Sequence, residues 1–171
     1  MAIHNLKMIL PYFQNCFLLL LPILLWNVIF MKVLPPPFQK ETFWYNIPKY
    51  IKFPENILRI VVFVFPLLMK FSLAEPHQKL GLILYILGVS LYFWSWVMQI
   101  YFPKLSWCKS CWGFTAPAFT TIIWFAGIGL IGSTLFINIP YHYSVYLIIS
   151  LLFVIVHTSH AIIIFKRLNN S

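Results

Sequence analysis

Residues 79–102 read KLGLILYILGVSLYFWSWVMQIYF, and after Lys79 this run carries no charged side chain. An α-helix of this length, rising 1.5 Å per residue, passes through the ~30 Å hydrocarbon core of a bilayer. Barrel strands are about half as long and alternate in polarity, and backbone groups in lipid must bond within their own segment. A membrane-spanning helix follows. Its small and polar residues are also ordered. Gly81, Tyr85, Gly88, Tyr92, Ser95 and Gln99 recur at spacings of four and three, which places them on one helical face. Such a face turns inward, because a polar group among lipid tails lacks partners.

Working outward, four more apolar runs lie near 8–31, 55–74, 114–137 and 143–165. The first is longer than a signal-peptide core, and Pro35-Pro36-Pro37 follows it where a small-residue cleavage site would stand, so it reads as a retained helix. The expected fold is therefore an all-α, polytopic membrane bundle of five transmembrane helices in a single domain spanning 1–171. The second run is the weakest. Its uninterrupted apolar part lies between Arg59 and Lys70 and crosses only if both side chains snorkel or face inward; a re-entrant segment would leave four crossings. The connection 32–54 holds Phe43-Trp44-Tyr45 beside several lysines, a mixture suited to the headgroup layer. Pro54 suits the start of the helix that follows.

Composition agrees. The chain is 61% hydrophobic and 9% charged, whereas a soluble domain is about one-quarter charged. The net charge of +9 resides on residues between or near the ends of apolar runs, which favours anionic lipid headgroups over nucleic acid as partner. With five crossings, Lys32, Lys40, Lys49, Lys52, Lys104, Lys109, Lys166 and Arg167 share one side, against Lys7, Lys70 and Lys79 on the other. The basic side faces the cytoplasm in a plasma or inner membrane, so the amino terminus is expected outside and the carboxyl terminus inside.

This arrangement gathers polar residues from all five helices near the cytoplasmic side. Asn27, Arg59, Tyr92, Ser95, Gln99, His157 and His160 are the candidate ligand-binding residues, with Thr115, Thr120 and Thr121 nearby. Arg59 is the one strong cation inside a run, and its guanidinium fork suits a carboxylate or phosphate. Glu55, four residues earlier, is the only acid close in sequence. The histidines can hydrogen-bond or carry a proton. Equally, Arg59 can simply snorkel, and the inner polar residues can serve as glue between helices.

A sharper pattern pairs Cys108-Lys109-Ser110-Cys111 with His157-Thr158-Ser159-His160 on the same side, two thiolates and two imidazoles that would suit tetrahedral zinc. Paired-carboxylate catalysis has little to work with, since the chain has no Asp and three Glu, and no nucleotide-binding fingerprint is present. The leading expectation is a multipass protein, transporter-like or accessory, that binds an anionic small molecule or lipid headgroup. Its companions would be membrane lipids, a membrane subunit or a second copy. The alternatives are a membrane-embedded enzyme or metalloprotein using His157 and His160, and an interaction or immunity-type membrane protein without a ligand site.

Overall fold

The computed structural model describes residues 14–170; Lys7 and the part of the first run at 8–13 lie outside the described residues. In chain order a 3-10 turn at Cys16–Leu20 leads into α1 (Leu21–Phe30). The single turn α2 (Lys40–Phe43) precedes α3 (Lys49–Val64), which continues as a 3-10 turn, Phe65–Leu67. Then come α4 (Pro76–Tyr101), α5 (Ser106–Lys109), α6 (Cys111–Phe119), α7 (Thr121–Ile131) and α8 (Ser144–Asn169). Among the described residues the fold is all-helical, with two isolated backbone bridges and no strand. Among the described residues three helices are long and apolar enough to cross a membrane: α4, the continuous pair α6–α7, and α8. The protein is a membrane helix bundle.

The expected connection 32–54 is partly helical. α3 begins at Lys49 behind Pro48, so Pro54 stands inside the helix and not at its start. At the far end the segment is finished by Leu67, short of the expected 74. Proline supplies no N–H and leaves the carbonyl four residues back without its helical donor. Side chains fill both vacancies that matter here. The Val62 carbonyl, four residues before Pro66, accepts the Tyr146 hydroxyl at 3.0 Å. The Gly113 carbonyl, four before Pro117, accepts Gln99 Nε2 at 2.8 Å.

Hydrogen bonds to backbone carbonyls tie the elements together at two ends. At one, Cys16 N donates to Met69 O, Lys70 N to Thr134 O and Phe136 N to Leu68 O. At the other, the Arg167 guanidinium donates to the carbonyls of Tyr45 (2.7 Å) and Asn46 (3.1 Å), and Gln99 joins the end of α4 to the start of α6. Asn46 takes φ 48°, a left-handed turn that asparagine tolerates. The amino-terminal end of α4 is closed by a capping box between Glu75 and Gln78.

The inward face of α4 is the stripe at Gly81, Tyr85, Gly88, Tyr92, Ser95 and Gln99, all buried. Glycine on both sides lets α4 and α7 touch backbone to backbone. A methyl group at Gly127 would lie 2.5 Å from Tyr85 N and 2.6 Å from Gly81 O. The small-xxx-small pair Gly129 and Ser133 serves elsewhere, Gly129 facing Leu147 and Tyr146 of α8 and Ser133 accepting from Gln78. Gly127→Ala should therefore cost about 1–3 kcal/mol by overpacking, seen as a lower thermal midpoint in detergent. Gly129→Ala, which meets the flexible Leu147 side chain, should cost less.

α1 approaches α4 differently. Trp26 stacks on Phe93 with centroids 4.4 Å apart, and Tyr92 Oη donates to Asn27 Oδ1 at 2.8 Å. Long side chains hold this pair where glycines hold the other. The gap they span becomes a cavity.

Candidate functional site

A chamber of about 1000 Å3 lies between α1, the 34–44 strap, α3, α4, α6–α7 and α8. Asn27, Arg59, Tyr92 and His157 of the sequence candidates line it. Ser95 and Gln99 are buried but do not. Ser95 Oγ donates to Tyr92 O at 2.7 Å within its own helix, and Gln99 is taken by the carbonyl that Pro117 frees. Thr115 and Thr120 likewise donate to carbonyls one turn back, and Thr121, which does line the chamber, donates to Ala118 O of α6. These residues are used in holding the backbone together.

Behind the chamber wall lies Glu55, fully buried on α3. Its carboxylate is a hub that the sequence reading recognised only as a partner for Arg59. Oε1 accepts from Arg59 Nη2 one turn on and from His157 Nδ1 at 2.9 Å. Oε2 meets His160 Nδ1 at 2.5 Å. The other ring nitrogen of His160 faces the Phe43 carbonyl at 2.8 Å. α8 supplies both histidines because positions 157 and 160 share a face, and Phe153 one turn before stacks on His157 at 5.3 Å.

Hydrogen-bond chemistry then dictates where protons sit. A carbonyl only accepts, so His160 Nε2 carries hydrogen. Two lone pairs cannot face each other at 2.5 Å, so one proton lies between His160 Nδ1 and Glu55 Oε2. Whether it is drawn on the acid or on the imidazole, Glu55 and His160 together are neutral. Arg59 therefore bonds to a carboxyl group whose charge is already cancelled. With His157 donating from Nδ1 as the neutral tautomer, the four groups carry at least one net positive charge.

Arg59 is 40% exposed in its side chain. Its guanidinium lies 5.3 Å from the ring centroid of Trp44 and 6.0 Å from that of Phe153, a cation between aromatic faces. Buried Arg59 Nε has no protein partner, and neither has the indole N–H of Trp124, also on the chamber wall. The strap forms the roof. Phe38 stacks on Phe114 at 4.6 Å and meets Trp96 edge-on at 5.1 Å, while Phe43 is pinned through His160.

The zinc set expected from Cys108, Cys111, His157 and His160 is not formed, and among the described residues no group of three or more His, Cys, Asp or Glu is placed to hold a metal ion. The reasons are local. Both ring nitrogens of His160 are occupied, the buried Cys108 thiol donates to Met98 O at 3.4 Å, and Cys111 faces outward. Burial also pushes the Cys108 thiol up from its ordinary range, away from the thiolate a metal needs.

No family model, no curated protein and no solved structure matches this chain.

Proposed function

We propose that this protein crosses the membrane five times, amino terminus outside, and binds an anionic group at Arg59 in a chamber open toward the basic, cytoplasmic side, as a transporter-like or accessory protein. The observation that carries the binding reading is His160 bridging Glu55 Oε2 (2.5 Å) and the Phe43 carbonyl (2.8 Å), an arrangement that calls for a proton between His160 and Glu55 and so leaves Arg59 without a compensating charge. An anion restores neutrality where a cation or neutral ligand would not. Anionic lipid headgroups are the nearest supply, and a partner subunit or second copy would complete an accessory role.

Two features support five crossings. α3 with its 3-10 turn rises about 30 Å, and the 3-10 turn plus α1 about 25 Å. The 3-10 turn before α1 meets the end of α3 through Cys16 N and Met69 O, and α3 starts beside the Tyr45-Asn46 turn that Arg167 holds at the other end. Cys111 is the exposed cysteine of the described residues, Cys16 and Cys108 being buried. In oriented membrane vesicles an impermeant maleimide should therefore label Cys111 from the cytoplasmic face only. Labelling from the opposite face would reverse the topology.

The binding reading is tested by titrating inorganic phosphate onto the detergent-purified protein, followed by phosphorus NMR line broadening. Saturable broadening that Arg59→Gln removes is the expected result; broadening indifferent to Arg59 would overturn the reading.

A further inference from the structure

A free inorganic anion would use only a small part of this site. Outside the strap lies a polar groove of about 550 Å3 lined by Lys40, Lys52, Asn56, Trp44 and Arg59, with Glu41 its one acid. Inside lies the chamber of about 1000 Å3, at the upper end of ordinary small-molecule sites of roughly 300–1,000 Å3. The two cavities share Lys40, Glu41, Trp44 and Arg59, so one charged rim serves both. Beyond that rim the chamber changes character. Its inner wall includes Ile23, Phe63, Trp124, Phe125 and Phe153, and three of these, Ile23, Trp124 and Phe125, are at most 1% exposed. The chamber thus runs from a cationic mouth to an apolar wall backed by fully buried core residues.

Resting on the anion-binding reading, we propose that the ligand is an anionic amphiphile: one head bearing a phosphate or carboxylate at Arg59, Lys40 and Lys52, and an alkyl chain filling the apolar chamber. The head meets the uncompensated charge at the exposed part of the Arg59 side chain. The chain covers apolar walls for which a hydrated anion offers nothing. Charge at the rim selects the head; the interior, lined by aliphatic and aromatic side chains, accepts a chain without demanding a sequence of polar contacts. Trp44, between the two cavities, would sit at the junction of head and chain.

Trp124 supplies the reporter, because it is closed to bulk detergent and lipid and backs the chamber wall, close enough for a brominated chain in the chamber to quench it. The protein is compared with its Trp124→Phe variant, which keeps Trp44 and the other tryptophans, and the quenching that the variant lacks is assigned to Trp124. Each protein is titrated with phosphatidylglycerol brominated in its chain and, separately, with phosphatidylcholine carrying the same brominated chain. The brominated anionic lipid should quench Trp124 saturably, with half-saturation at least tenfold below that of the zwitterionic lipid. Arg59→Gln should remove that difference. Ala118→Phe, which adds a ring to the chamber wall and leaves Arg59 in place, should abolish quenching while phosphate still broadens. If phosphate binds in an Arg59-dependent way and neither lipid quenches Trp124, the site takes a free anion and the amphiphile proposal fails alone. If both lipids quench equally and phosphate does not bind, the anion reading fails with it.

Discussion

Replacing Glu55 by alanine is expected to cost about 3–5 kcal/mol of stability, the usual scale for removing one side of a buried ionic contact. Three groups on two helices lose their hydrogen-bond partner at once: Arg59 on α3, and His157 and His160 on α8. The damage should spread to the strap, because the Phe43 carbonyl is held by the same His160. Thermal or denaturant unfolding in detergent reads the loss. Glu55→Gln should be far milder. A primary amide copies a protonated acid, donating its N–H to His160 Nδ1 while its oxygen accepts from Arg59 and His157. An alanine variant as stable as the glutamine variant would show that no acceptor is needed at this position.

Arg59→Gln carries the largest expected change in binding. A hydrogen bond to a charged group contributes about 1.5–3 kcal/mol, so affinity for phosphate or an anionic headgroup should fall roughly 10- to 150-fold. The fold should survive, since glutamine can still donate to Glu55. Arg59→Lys keeps the charge without the planar fork and should fall between the two. Because the guanidinium is partly exposed, wild-type binding should also weaken as ionic strength rises, and the glutamine variant should lose that salt dependence.

The bundle was legible because lipid imposes a simple rule on side chains. The stripe on α4 was readable from spacing alone, and its six residues are all buried. The gathering of Arg59, Glu55, His157 and His160 at one end follows from counting helix directions. The partners of the buried polar residues were harder to read, since many are backbone carbonyls. Gln99 looks like a ligand contact until Pro117 is seen to free the Gly113 carbonyl, and the signal was the proline four residues on. The hub role of Glu55 had a clue of its own, one acid among an arginine and two histidines on the same side. The bond from His160 to the Phe43 carbonyl had none, because a backbone contact from a strap leaves no residue-type signature. The start of α3 was misplaced for a related reason. Lys49, Lys52 and Pro54 resemble loop residues, but the helix carries them at the polar end.

The proton shared by Glu55 and His160 determines whether Arg59 is an anchor or an anion site, and one ratio measures it: the phosphate affinity of Glu55→Gln over that of the wild type. If the proton is shared, both proteins present the same net charge and the affinities agree within about threefold, roughly 0.7 kcal/mol. If Glu55 is instead an ionised counter-charge spent on Arg59, removing it liberates the guanidinium, and the variant binds phosphate at least about tenfold more tightly. Equal affinity supports the uncompensated cation; a tenfold gain contradicts it.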